Sequence, residues 1–382
     1  MVHLINFEIK KILNKKRNIV TVGLFFIIVI LFILLYSSNE KMFDNSMVLN
    51  MDKNIESVEE ALVRIEDEIL KLPDNKNLQE IAMDYKEEID ILKEMKIYYN
   101  NNEWNKYLEV RIKSNEILLE NIRSNKVITG REIDDIKMEI EVDKLLLDKG
   151  IKPIYTDVSM EGFNFIKIFL NGALILMIMV LVIFISSDVM SSEFQSNTYK
   201  LLFTQPISKR KILLSKIIAA VVVTNVIVFF IIGTLFFILG ITKGFGAINY
   251  PIIFYHAGNI EYIEVGKYIM VGLTLLSVLI TLTSVLSIFI SSLNKRTNTS
   301  MILTVIILIS LYFISDIGLI KNIAHMNPFT YLQIGEVLQG NLANILDNTN
   351  ITIQNGLLSS SILFFVLLIT NIYLFDKSNI AL

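Results

Sequence analysis

The chain has 382 residues, 53% hydrophobic and 19% charged, with a formal net charge of −3. That imbalance argues against a soluble globular protein and for one embedded in a membrane. There is no cysteine, which excludes disulfides, thiol chemistry and cysteine-bound metals.

Residues 2–17 place Val2, Ile5, Ile9, Ile12 and Leu13 near one helical face, with the lysines mostly elsewhere. The pattern fits an amphipathic helix at the inner membrane surface (residues 1–17) or a basic flank that fixes topology. An apolar run over 18–36 follows. It is too long for a signal peptide, and Ser37-Ser38-Asn39-Glu40 is not a small-residue cleavage site, so it reads as a first span. A crossing helix needs about 20 apolar residues. Residues 165–187, 212–239, 268–292, 301–317 and 356–375 also meet this need, the fifth span being the shortest.

Residues 37–162 differ in kind, with acidic residues outnumbering basic ones by roughly three to two. Ile55, Val58, Leu62, Ile65, Ile69 and Leu72 keep a three-four spacing until Pro73 and Asp74 break it. Leu78, Ile81, Tyr85, Ile89, Leu92 and Met95 repeat the pattern, and residues 100–102 end it. A third helix holds Trp104, Leu108, Ile112 and Ile122. Thr129 and Glu132 form a capping box before a fourth, which runs through Ile133, Ile136 and Ile140. At about 24 residues each, such rods are roughly 36 Å long. The expected fold class is an all-α polytopic membrane protein. It has about six transmembrane helices and a helical extracytoplasmic domain of hairpins or coiled coil.

Basic residues set the orientation. Lys10, Lys11, Lys15, Lys16 and Arg17 precede the first span. Lys200, Lys209, Arg210 and Lys211 lie between spans two and three, and Lys295 and Arg296 between four and five. The alternate connections carry Lys243 and Lys321. Both termini, including the tail 376–382, are therefore expected in the cytoplasm and residues 37–162 outside it.

No phosphate-binding loop or dinucleotide fingerprint occurs, so no nucleotide site and no enzymatic activity are expected in this chain. His3, His256 and His325 are far apart and lack ligand spacing, so no metal site is expected. The spans read as nearly free of ionisable residues. Asp188, Lys267 and Asp316 fall at edges, and Lys167 lies close to one. That argues against ion-coupled transport and for an external source of energy. Thr274, Ser277, Thr281, Ser284 and Ser291 share one face of span four, and Asn225 is polar in span three. They serve close helix packing, or Asn225, Ser277, Thr281 and Ser284 line a substrate path.

The segment 188–211 is the most informative. Ser192 and Gln195 form a capping box, Pro206 stops that helix by about Thr204, and Ser208 can cap the next. The expected result is a helical elbow at the inner surface. Phe194, Tyr199, Leu202 and Phe203 beside Glu193 and Lys200 suit docking on a cytoplasmic protein; a topogenic loop with lipid-facing aromatics accounts for them equally well.

This segment resembles the coupling-helix region of ABC transporter permeases of the type-2 exporter class. That pattern has an acidic residue, Gly-Thr, a Lys/Leu-rich helix, Pro-Ile/Val-Ser-Arg and a basic start to the next span. Here it reads Glu193, Asn197-Thr198, Lys200-Leu201-Leu202, Thr204, Pro206-Ile207-Ser208-Lys209 and Lys216, with Asn197 in the place of glycine and Lys209 in that of arginine. The six-span layout and the N-terminal helix are also similar to the class. So is a re-entrant-looking stretch within 318–355, with Asn327-Pro328-Phe329-Thr330-Tyr331. The insertion after the first span resembles those of some bacterial members, including sodium-efflux and antimicrobial-peptide-resistance permeases. The resemblance implies a permease with no directly bound cofactor, in a cell membrane, partnered by a second identical or paralogous permease. Separate cytoplasmic ATP-binding subunits would hold ATP and Mg and contact Glu193, Phe194, Thr198, Lys200, Leu201 and Leu202. The resemblance does not identify the cargo, which would move between spans that include two and five; an apolar path with few charges suits an amphipathic or antimicrobial peptide, a lipid or a hydrophobic drug, with sodium as the alternative. Membrane lipid is an expected contact and nucleic acid is not. The rival expectation is a membrane sensor or scaffold that uses a coiled-coil ectodomain.

Overall fold

A computed structural model describes residues 1–124, 130–154, 157–204, 206–256, 259–314 and 321–377. Helix α1 (Val2–Leu13) leads through a short break into α2 (Lys16–Lys71), a single helix of 56 residues. The first span and the first rod of the insertion are thus one helix, about 84 Å long at 1.5 Å per residue. The helix does not end at the expected span boundary near residue 37, because residues 37–54 contain neither glycine nor proline to stop it.

The insertion continues with α3 (Lys76–Asn100), α4 (Trp104–Arg123) and α5 (Ile133–Lys149). The Asn75 side chain caps α3 by accepting from the Asn77 and Leu78 amides, at 3.1 and 3.4 Å. Gly150 ends α5 in the left-handed region, φ 61°, as helix C-termini favour. Ion pairs Lys86–Glu66 and Lys93–Glu59 (2.9 and 2.7 Å) run in opposite numerical order along α2 and α3, as an antiparallel hairpin requires. Each helix packs on the next in chain order, so hairpins are the form the insertion takes. Thr129, expected to cap α5, lies outside the described residues; α5 begins after Glu132, without a side-chain cap.

The expected second span is broken. Helices α6 (Gly162–Leu170) and α7 (Leu174–Ser186) are separated at Asn171-Gly172-Ala173. The Asn171 side chain rests on Gly335, where an added Cβ would come within 2.1 Å of its oxygen. Two short helices follow, α8 (Ser191–Gln195) and α9 (Tyr199–Phe203), and then the long α10 (Lys209–Lys243). An antiparallel hairpin of β1 (Pro251–His256) and β2 (Asn259–Glu264) pairs Ile253 with Tyr262. The helical periodicity gave no hint of it. It packs beside α5, and Lys149 bonds Glu264 at 2.8 Å, joining insertion to bundle.

Helices α11 (Val265–Leu293) and α12 (Thr297–Ile314) come next. Two 3-10 turns follow (Lys321–Met326 and Pro328–Leu332), then α13 (Ile334–Leu338), α14 (Asn341–Ile345) and α15 (Ile353–Lys377). Residues 328–332, within the stretch expected to be re-entrant, are all buried. Tyr331 donates to the His325 carbonyl at 3.0 Å, and its ring lies on Gly356, where a Cβ would meet it at 2.6 Å.

Among the described residues, six helical stretches are long and apolar enough to cross a membrane: within α2, from α7 through α8, and α10, α11, α12 and α15. Helices α7 and α11 form the centre, while the apolar part of α2 is the least buried. Only Asn18, Phe25 and Val29 are buried in that part. Its exposed Leu24, Ile27 and Leu31 suit contact with lipid.

Candidate functional site

The elbow joins α7 to α10, and neighbouring helices hold it in place. The amides of Met190 and Ser191 donate to the Ser291 hydroxyl of α11, at 3.2 and 2.8 Å. These are orphan donors at a helix start, which must find partners when buried. Gln195 accepts from the amide and hydroxyl of Thr297, at 3.3 and 3.0 Å. Gln195 is therefore bonded to α12, and the expected Ser192–Gln195 capping box does not form: α8 has no side-chain cap. Nor does Ser208 cap α10 through its side chain. Asn197 turns the chain between α8 and α9 at φ 59°. Asparagine tolerates that region better than most residues, which explains how it stands where the permease pattern has glycine. Phe194 packs on Tyr199 with ring centroids 5.4 Å apart.

Beneath the elbow lies a cluster of buried charges. Lys216 of α10 is 0% exposed and bonds Glu8 of α1 at 2.7 Å and Glu193 of α8 at 3.0 Å. Glu193 is 2% exposed and Glu8 5%. Lys11 of α1 and the Thr198 hydroxyl complete the bonding of the Glu193 carboxylate. Close by, buried Asp188 is paired with Lys15 and with Arg17, the latter at 2.5 Å. Arg17 also donates to the Phe184 carbonyl at 2.8 Å, and Asn18 donates to the Ile12 carbonyl at 2.9 Å. The N-terminal helix, the foot of α2, the end of α7, the elbow and the root of α10 are thus linked through charge.

This geometry changes the roles expected of the elbow residues. Glu193, expected on a docking surface, is buried and spent on Lys216, because a carboxylate next to a buried ammonium group is stabilised by staying there. Thr198 is committed to Glu193. Lys200 and Leu201 do face outward, Leu201 being 70% exposed, with Leu202 and Phe194 partly buried behind them. The exposed surface of the elbow comprises the turn residues 195–198, Thr198 among them, together with Lys200, Leu201 and Thr204, and Leu201 is its large apolar member. The reading of charge-poor spans also needs correction. Lys216 lies inside the third apolar segment and is fully buried there.

The family model of the ABC-2 family transporter protein matches residues 2–380, nearly the whole chain. The chain belongs to that family. It is a multi-pass membrane permease component of an ABC transporter, the transmembrane part, which in this family generally lacks an ATPase site of its own. Membership implies partnership with an ATP-binding subunit. No curated protein and no solved structure matches the permease.

The permease brings the four expected path residues together, but uses them between helices. Ser277 donates to the Asn225 carbonyl at 2.9 Å, and the Asn225 amide reaches Thr281 at 3.3 Å. Ser284 and Thr224 share a hydrogen bond of 3.0 Å. All join α10 to α11, as hydroxyls do where membrane helices approach closely. Thr274 bonds back to the Met270 carbonyl on its own helix. His3, His256 and His325 belong to three different elements, and the described residues contain no cluster of three or more metal-binding side chains.

The sequence reading missed Glu8 and the buried role of Lys216. Each left a signal. Glu8 is the lone acid in a basic N-terminal stretch, and Lys216 is the lone charge in the long apolar run that follows Lys211. A lone ionisable residue inside a span is by default a functional candidate with a partner to be found.

Proposed function

We propose that this permease serves an ATP-driven exporter and receives its separate ATP-binding subunit on the outer face of the elbow. ATP and Mg would be held by that subunit. The observation that carries the reading is the outward pair Lys200 and Leu201 on an elbow otherwise fixed by α11, α12 and buried charge. A rigid, partly apolar projection at one end of the bundle suits transmission of force better than a mobile loop would. The basic residues Lys10, Lys11, Lys15, Lys16, Arg17, Lys200 and Arg210 flank the elbow and the first span, and this supports an orientation with the elbow and both termini in the cytoplasm and the helical insertion outside. Two permeases, identical or paralogous, would work with two ATP-binding subunits, and ATP must favour one arrangement of them through this contact.

The cargo we favour is an amphipathic peptide, a lipid or a hydrophobic drug, with sodium as the alternative. A path past Asn225 requires α10 and α11 to part, since their hydroxyls now bond one another. An acidic insertion favours cationic peptides by attraction.

The test is Lys200→Glu with Leu201→Asp. Both changes fall on exposed positions of the elbow and spare Glu193. Co-purification of the ATP-binding subunit is expected to fall while the permease still accumulates in the membrane; unchanged co-purification and transport refute the docking assignment. ATP turnover measured with cationic peptides and with sodium separates the cargo classes. Stimulation by sodium alone overturns the peptide choice.

A further inference from the structure

Helix α1 is attached to the elbow by charge as well as by apolar contact. Its inward face carries Ile12 and the carboxylate of Glu8, both buried, while Val2 and Leu13 are left exposed on its flank. A helix that only rested on the membrane would turn its apolar stripe to lipid and its acid to water. Here the acid points into the protein, to Lys216. Glu8, Lys216, Glu193 and Lys11 form a chain of alternating carboxylates and ammonium groups, drawn from α1, α8 and α10. Moving α10 away leaves buried Glu8 and Glu193 without their shared ammonium partner, and moving α1 away takes one charged partner from each of Lys216 and Glu193, so the chain of charges resists relative motion of its members. The hinge between α1 and α2 is held as well, by Asn18 on the Ile12 carbonyl and by Lys15 and Arg17 on Asp188.

We infer that α1 is a moving part of the transmission. It travels with the elbow and the root of α10 as one body, with Glu8 and Lys216 as positioning residues. A push on Leu201 passes through Glu193 to Lys216 and Glu8, and through the paired foot of α2 into a helix that runs unbroken to the tip of the insertion. The inference deepens the proposed docking of an ATP-binding subunit on the elbow and rests on it.

The chain has no cysteine, so introduced pairs can be spin-labelled without background. Asn6→Cys on α1 and Thr204→Cys after α9 place labels at two exposed positions. The distance between them is measured in lipid nanodiscs, for the permease alone and for its complex with the ATP-binding subunit, with and without ATP and Mg. One narrow distance, unchanged by ATP, is expected. Glu8→Gln broadens it and lowers substrate moved per ATP by at least about fivefold, while the subunit stays bound. Glu8→Asp restores the narrow distance. Should Glu8→Gln fail to accumulate, Lys11→Gln, at the half-exposed end of the chain of charges, is expected to change both readouts in the same sense. A label distance in the unsubstituted chain that shifts with ATP overturns the inference, as does a neutralised Glu8 or Lys11 with unaltered distance and transport. If no ATP-binding subunit associates with the unsubstituted permease, the docking reading falls. The labels in the permease alone then decide whether α1 and the elbow form one body.

Discussion

Lys86–Glu66 and Lys93–Glu59, between the first two helices of the insertion, join side chains that are about half exposed. At the elbow, Lys216, Glu8 and Glu193 are all but sealed from solvent. The same residue types do different work in the two places. In water an ion pair gains little, because solvent screens both partners and two long side chains must be ordered. The insertion therefore depends on its apolar seam, with Ile55 facing α3 and Ile136 and Ile140 facing α4. At the elbow no seam could specify which helices meet. Buried charges can, since each is tolerable only beside its partner. Among its described residues the insertion has a pair of the elbow's kind. Arg111 and Asp143 meet at 2.6 Å through the guanidinium Nε, and Asp143 is fully buried. Burial pushes that carboxyl up from its ordinary range, against the pull of Arg111.

The contrast predicts a graded series of substitutions. Lys216→Ala has the largest effect. It orphans Glu8 and Glu193 together and costs about 3–5 kcal/mol or more, so the full chain is expected to fail to accumulate in the membrane. Normal yield and an unchanged melting curve would mean that water reaches Glu8 and Glu193 and that the two regions do not differ. Arg111→Ala comes second. It leaves Asp143 buried and unpaired, at about 3–5 kcal/mol, but the loss is confined to the insertion. The bundle is expected to stay intact, and limited proteolysis should cut first within α4 and α5. Cleavage beginning in the bundle would show that the insertion is not a separate unit of stability.

The same contrast explains what was legible in the sequence. Ile55, Leu92, Leu108 and Ile140 announced helices through spacing, and the structure puts all four in the core, because a charged surface makes the apolar seam stand out. Apolar runs likewise located the six crossing stretches. Periodicity was silent on the fusion of span and rod in α2, since helix continuity depends on what is missing at the joint. It was equally silent on the break at Asn171, which is set by a contact with Gly335 far along the chain. Glu193 was found by its motif and misjudged in its role. Its partners Lys11 and Lys216 stand 182 and 23 residues away in sequence order, the first far beyond any local pattern.

The smallest effect belongs to the pairs that look most numerous. Lys93→Ala removes the bond to Glu59 at 2.7 Å, yet it is expected to change stability by no more than about 1 kcal/mol. High salt should shrink even that difference, because both partners lie in solvent. The denaturation midpoint of the purified full-length permease, measured at low salt and at high salt, checks both statements. What these pairs do supply is register. Lys86, Lys93 and Lys96 meet Glu66, Glu59 and Asp52 in inverse order, so sliding α3 along α2 by one turn would break all three together. Changing Lys86, Lys93 and Lys96 to Glu at once would set acid against acid along the hairpin, and the loss should then exceed the sum of three alanine substitutions. A loss equal to that sum would leave the apolar seam as the sole keeper of register, and the contrast between the two ends of the permease would be complete.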